Sequence, residues 1–76
     1  MVTVRYYGQL RELAGADEES VSALSATTLY DQLKAKYDFP LCRSHVRLAV
    51  NDAFVGWDHE LADGDLVVFI PPVAGG

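Results

Sequence analysis

The chain has 76 residues, of which 50% are hydrophobic and 22% are charged. This length predicts one domain over residues 1–76, with a globular core over residues 1–70 and an extended tail over residues 71–76. The hydrophobic fraction is sufficient for one core, and the charged fraction argues against disorder. The net charge of −5 disfavours nucleic acid and anionic membranes as partners, and it favours a basic protein surface.

The expected cellular location of the protein depends on its cysteine content and on the length of its apolar segments. Cys42 is the only cysteine, so no internal disulfide can form and a cytoplasmic location is expected. Residues 1–5 lack the basic region and long apolar stretch of a secretory signal. The longest apolar run, residues 66–72, is too short to cross a bilayer.

The first third of the chain predicts two strands that flank a short helix. Residues 2–7 alternate between apolar and more polar positions, which is typical of a strand with one buried face, and Gly8 ends the pattern. Residues 9–14 predict a short helix that is closed by Gly15. A second strand is predicted over about residues 19–24.

The main helix is predicted to follow. Thr28 is the predicted N-cap, because Asp31 stands three residues later, where its side chain can reach back to the cap. Pro40 lies just beyond the expected end of the helix. The apolar side chains at helical spacing are Leu29, Tyr30, Leu33 and Tyr37.

The second half of the chain predicts strands at residues 45–50, 54–55 and 66–70, with turns at residues 51–52 and 63–65. Two strands, a helix and then two or three strands give an α+β order. One main helix can cover only one face of a small mixed sheet, which is the arrangement of the β-grasp fold. The first and last strands are both apolar, so we expect them to be parallel neighbours at the centre of the sheet.

The face of this sheet away from the helix is a candidate docking surface. If Val67 and Phe69 point toward the helix, their neighbours along the strand point away from it. An exposed apolar patch on that face indicates a protein-binding site. The alternative is that the faces are assigned one residue out of register. The predicted partner-binding residues are Tyr7, Phe54, Val68 and Ile70.

The C-terminal segment is the second candidate site. Pro71 and Pro72 end strand pairing, because proline has no backbone N–H. The four residues after them can extend about 13 Å, which suits entry into a narrow channel of a partner. The terminal carboxylate is a candidate acyl donor, and glycine lets other groups approach it closely. The predicted tail in the partner active site is Pro71, Pro72, Val73, Ala74 and Gly75, with Gly76 as the reacting residue.

Catalytic side chains are not evident. His45 and His59 lack metal-ligand spacing, so no metal site is predicted, and Cys42 has no sequence-evident activating partner. No glycine-rich phosphate loop occurs, and no cofactor is expected to bind this chain. An acidic cluster near the last turn is either a solvated face or a complement to a basic partner. Its members are Asp58, Glu60, Asp63 and Asp65.

Four segments together resemble the small subunit of molybdopterin synthase. They are residues 6–15 (YYGQLRELAG), residues 50–51 (VN), residues 63–65 (DGD) and residues 69–76 (FIPPVAGG). The resemblance covers essentially the whole chain, with Gly8 standing where the family often has alanine. It implies a ubiquitin-like β-grasp sulfur carrier that is a non-catalytic subunit of a transferase complex in molybdenum cofactor biosynthesis.

The resemblance also implies partners and a chemistry for Gly76. An adenylyltransferase related to ubiquitin activators would use ATP to form the acyl-adenylate. A sulfur donor, such as a cysteine desulfurase or a rhodanese-like protein, would then produce a thiocarboxylate. That sulfur would pass to a pterin precursor in the large subunit, within a heterotetramer of two small and two large subunits. By position, Tyr7, Phe54 and Ile70 correspond to the apolar contact residues of the family.

Three other interpretations remain open. The first is a protein modifier, which would form an isopeptide bond between Gly76 and a target lysine. The second is a plain interaction domain with inert terminal glycines. The third is the sulfur carrier of thiamine synthesis, which shares the Gly-Gly end but is usually shorter and lacks the Arg-Glu-Leu helix. The mass of the terminal acyl group separates carrier, modifier and inert domain.

Overall fold

The computed structural model describes residues 1–72. Its strands are β1 (Val2–Tyr6), β2 (Glu18–Val21), β3 (Arg47–Val50), β4 (Ala53–Val55) and β5 (Leu66–Ile70). Its helices are α1 (Gly8–Ala14), α2 (Ala26–Tyr37) and a single 3₁₀ turn (Arg43–His45). Neither α-helix in this part of the chain has the length and apolar character needed to cross a membrane.

The five strands form one mixed sheet in the order β2-β1-β5-β3-β4. β1 and β5 are parallel, with Val4 opposite Val67, and the other neighbouring pairs are antiparallel. The predicted parallel pairing of the first and last strands near the sheet centre is therefore confirmed. The last strand has its predicted bounds, and the predicted strand at residues 54–55 begins one residue earlier, at Ala53.

β1 ends at Tyr6, one residue before its predicted end, and two other strands are shorter than predicted by two residues or more. β2 ends at Val21 rather than near residue 24, because Val21 pairs with Val2, the first residue of β1. β3 begins at Arg47 rather than at residue 45. Arg47 pairs with Ile70, and the next residue of that chain segment is Pro71, which has no N–H to extend the ladder. In both cases the partner strand sets the end of the element.

The helix ends show one correct and one wrong prediction. α1 closes at Gly15 as predicted, with φ of 72° and its N–H donating to the Arg11 carbonyl at 3.0 Å. The N-cap of α2 is Ser25, whose Oγ accepts the Thr28 N–H at 3.2 Å, so the prediction of Thr28 as the cap is wrong. The helix starts earlier because Ala26 is fully buried and its turn packs into the core.

α2 covers one face of the sheet through an aromatic cluster. The Tyr30 ring centroid lies 5.1 Å from that of Phe69 and 5.4 Å from that of Trp57. The Tyr30 hydroxyl donates to the Leu41 carbonyl at 2.8 Å, and burial raises the pKa of Tyr30. The expected arrangement of one main helix on one face is confirmed, and residues 1–72 leave the opposite face of the sheet open.

A carboxylate on β2 ties the sheet edge to the end of α2. Glu19 accepts hydrogen bonds from the hydroxyls of Tyr6 and Tyr37, the latter at 2.7 Å, and from Lys36 Nζ at 3.4 Å. Burial alone would raise the pKa of Glu19, but the two tyrosine hydrogen bonds and the lysine charge outweigh it and lower the pKa. Burial and the hydrogen bond to Glu19 raise the pKa of Tyr6.

The two predicted turns are present and are joined to each other. Asn51 and Asp52 have φ of 52° and 70°, as a tight hairpin turn requires. The Asn51 side chain accepts the Leu66 N–H at 3.0 Å and donates to Asp65 at 2.9 Å. Asp65 also accepts the Ala62 N–H at 2.8 Å, and these two hydrogen bonds lower the pKa of Asp65. One member of the acidic cluster therefore has a structural role.

Candidate partner-binding face and the base of the tail

The open face of the sheet carries a row of apolar side chains from three adjacent strands. Val68 on β5 lies beside Ala49 on β3, and Ala49 lies beside Phe54 on β4. Tyr7 follows β1 directly, one position beyond the pairing of Tyr6 with Phe69. Together these strands form a shallow depression of about 400 Å³. It is lined by Tyr7, Ala49, Asp52, Phe54, Val68 and Ile70.

All four predicted partner-binding residues line this depression, but they differ in exposure. Phe54 is 63% exposed and Tyr7 is 46% exposed, whereas Ile70 is half-buried. Val68 is only 7% exposed, so its prediction as an exposed residue is wrong. The reason is that β5 is the central strand, and its outward side chains are flanked by those of β1 and β3. Val68 forms the floor of the depression, and Phe54 and Tyr7 form its raised margins.

The tail starts at one end of this depression. Pro71 follows Ile70 directly and lies close to Gly8, where an added Cβ would come within 3.5 Å of Pro71 Cγ. Gly8 has φ of +54°. Pro71 is half-buried and Pro72 is exposed. The remaining tail residues, Val73, Ala74, Gly75 and Gly76, lie outside the described residues, and the division into core and tail stays a prediction.

Charged side chains stand at the margins of the apolar row. The Cζ atom of Arg47 lies 4.6 Å from the centroid of the Phe54 ring, which is a cation–π contact. Arg5, on the β1 side, donates to the Glu18 carboxylate through Nε at 2.8 Å and Nη2 at 2.6 Å. Asp52, in the hairpin turn, lines the depression near Phe54. The face therefore has an apolar centre and a polar rim, as protein-binding surfaces commonly do.

Sequence reasoning missed Arg47, Ala49 and Asp52 as parts of this face. A signal was available for the first two, because alternation along β3 already put Arg47 and Ala49 on the side away from Val46, Leu48 and Val50. Asp52 carried no such signal. Its place in the depression depends on the hairpin turn that brings it beside Phe54.

The isolated candidate side chains lie elsewhere. Cys42 is exposed and lines a separate groove with Lys34 and Trp57. Neither His45 nor His59 lines the depression on the open face. Within residues 1–72, no group of three or more His, Cys, Asp or Glu side chains could hold a metal ion.

The sequence profile of the ThiS family matches residues 4–76. The chain belongs to the ThiS family. In an alignment of 81 positions it is 40% identical to the molybdopterin synthase sulfur carrier subunit of Escherichia coli (strain K12), and the match covers 100% of both chains. In an alignment of 82 positions it is 42% identical to the protein of the same name from Mycobacterium tuberculosis, covering 99% of this chain and 96% of the relative.

Solved structures give the same fold. The small archaeal modifier protein 1 from Methanosarcina acetivorans superposes with a TM-score of 0.83 at 26% identity, covering 99% of this chain and 95% of that one. A chain in the complex of subunits 1 and 2 of the molybdopterin-converting factor from Helicobacter pylori has a TM-score of 0.72 at 26% identity, covering 99% and 97%. These neighbours are ubiquitin-like, and the predicted β-grasp fold is confirmed.

Proposed function

We propose that this chain is a sulfur-carrier subunit of molybdopterin synthase in molybdenum cofactor biosynthesis. The observation that carries the proposal is the end-to-end match to relatives named as that subunit, which reaches the terminal residue 76. The open apolar face and the proline pair that leaves its end support it, because a carrier needs both a docking surface and a projecting end. The chain itself supplies no catalytic side chain in this proposal.

The reacting group in this proposal is the carboxylate of Gly76. An adenylyltransferase related to ubiquitin activators binds the chain and ATP, and the carboxylate attacks the α-phosphorus and releases pyrophosphate. Sulfur at the oxidation level of sulfide then attacks the acyl carbon and releases AMP, leaving a thiocarboxylate. A cysteine desulfurase or a rhodanese-like protein, with a thiol reductant, supplies that sulfur. ATP is bound by the activating partner, and no cofactor is bound by this chain.

The receiving partner is the large subunit of molybdopterin synthase. The Helicobacter pylori neighbour was solved as a complex of the two subunits of its molybdopterin-converting factor, which supports a protein partner of this type. We propose that Tyr7, Phe54 and Ile70 contact the large subunit while the tail from Pro71 onward enters its active site. There the thiocarboxylate donates sulfur to the pterin precursor. The assembly would contain two copies of each subunit and act in the cytoplasm.

Mass spectrometry of the intact chain tests this function. The chain is incubated with ATP, the activating enzyme and the sulfur donor of the same organism, and then with the large subunit and the pterin precursor. We expect the first mixture to replace one oxygen by one sulfur at Gly76, and the second to reverse the exchange as product forms. A chain without its last residue is the matched control. A carboxylate that stays unaltered in the first mixture, before the large subunit and the precursor are added, would overturn the carrier function.

A second candidate function is protein modification. The observation that favours it is the TM-score of 0.83 to an archaeal modifier protein at 26% identity. A modifier would form an isopeptide bond between Gly76 and a lysine of a target. The same incubation with a cell extract separates the two functions, because a branched peptide that ends in Gly75-Gly76 on a target lysine identifies conjugation. A sulfur-for-oxygen exchange alone identifies the carrier.

A further inference from the structure

Arg47 is a cation on the open face that the described chain does not neutralise. Ion pairs are formed by Arg5, Arg11, Lys36 and Arg43, each with a carboxylate within 4.0 Å. No carboxylate of residues 1–72 lies within that distance of Arg47, although the chain carries a net charge of −5. Its guanidinium lies over the ring of the exposed Phe54.

The register of the sheet places Arg47 between two proposed contact residues. Arg47 is paired with Ile70 on β5, the last residue before the prolines. Phe54 on β4 lies opposite Ala49, two residues farther along β3 on the same face. A partner surface that touches both Phe54 and Ile70 therefore has to cover the Arg47 guanidinium as well.

A partner that covers the Arg47 guanidinium removes water from the edge of that planar group. Phe54 contacts one face of the planar guanidinium, but its N–H groups still need hydrogen-bond acceptors. A desolvated charge without a partner is strongly unfavourable. A carboxylate matches the forked N–H groups of arginine with two parallel hydrogen bonds, which no neutral acceptor equals.

We propose that Arg47 is a specificity-determining residue of the docking face, and that it pairs with an Asp or Glu carboxylate of the large subunit when the two proteins bind. This inference rests on the proposed function, since it assumes that partner. It assigns the partner a local acidic group opposite Arg47, even though the net charge of this chain favours a basic partner surface overall.

Binding measurements with the purified large subunit of the same organism test the pairing. Arg47→Met keeps an apolar stem of similar length and removes the charge, and we expect it to weaken binding by about tenfold or more. Lys34→Met is the matched control, because it makes the same charge change in the groove that contains Cys42. We expect that variant to bind within about twofold of the parent. Raising the salt concentration should weaken the parent more than Arg47→Met.

Two further measurements distinguish a failure of the Arg47 pairing from a failure of the proposed function. In a Phe54→Leu background, Arg47→Met should still weaken binding, whereas loss of its effect would mean that Arg47 only positions the Phe54 ring and would overturn the pairing. If Phe54→Ala weakens binding but Arg47→Met binds like the parent, the inference fails and the proposed function stands. If the parent does not bind the large subunit, both fail.

Discussion

The side chain of Asn51 connects two turns of this small fold. Its two side-chain hydrogen bonds join the β3–β4 hairpin to the turn before β5, and its φ of 52° is unfavourable for most residues. We expect Asn51→Ala to lower the free energy of unfolding by about 1–2 kcal/mol, measured by urea unfolding at pH 7. Asn51→Gly is the control, because glycine adopts this φ freely and should retain more stability than alanine. Equal stability of all three proteins would contradict both contributions.

Gly76 carries the second prediction at the scale of one residue. Deleting it, or adding one glycine after it, removes the carboxylate from its position, so we expect no thiocarboxylate to form in either variant. Terminal residues seldom contribute to stability, so the melting temperature should stay within about 2 °C of the parent. Intact-mass analysis and a thermal melt check the two parts. Sulfur incorporation by the shortened chain would contradict the assignment of Gly76.

At the scale of elements, Glu19 links β2 to α2 and makes their contact sensitive to acid. The pKa of Glu19 is lowered in the folded chain, so its stabilising contribution is present above the ordinary value of 4.5 and is lost as the pH falls through the lower folded value. We expect Glu19→Gln to melt earlier than the parent at pH 7. The difference should shrink steadily as the pH is lowered from about 5 to about 3. A difference that does not change with pH would show that the carboxylate charge is irrelevant.

Phe54 and Val68 lie on the same face but on strands with different neighbours, so their substitutions should separate binding from stability. Phe54 lies on the edge strand β4 and is 63% exposed. Phe54→Ala should weaken binding to the large subunit by about tenfold and leave the melting temperature nearly unchanged. Val68→Ala, at the central strand, should instead cost about 1–3 kcal/mol of stability. Calorimetric titration beside a thermal melt decides this, and the reverse pattern would contradict the assigned exposures.

At the scale of the whole molecule, the proposed function is that of a carrier whose own side chains do not perform the chemistry. Cys42, His45 and His59 are scattered away from the depression on the open face. A variant with Cys42→Ser, His45→Gln and His59→Gln should therefore accept and deliver sulfur at near-parental rates in single-turnover reactions. A loss of about a hundredfold with the fold preserved would make one of these side chains a participant, and the three single variants would identify it.

The sequence was sufficient for the features that depend on local patterns. Alternation in β1 and β5, the glycine after α1 and the two prolines after Ile70 each act within a few residues, so the strands, the cap and the end of the sheet could be predicted. The central, parallel pairing of the first and last strands followed from their apolar character, because the most apolar strands occupy the most buried positions of a sheet.

The tertiary structure alone decided the features that depend on distant residues. Ser25 caps α2 in place of Thr28 because Ala26 packs into the core, and β2 stops at Val21 because its partner Val2 is the first residue of β1. Val68 is buried because its neighbours on the sheet come from residues far away in the chain. The contact between Arg47 and Phe54 also depends on tertiary structure. It requires the β3–β4 hairpin turn and the register of the sheet, and neither can be predicted from the types of these two residues.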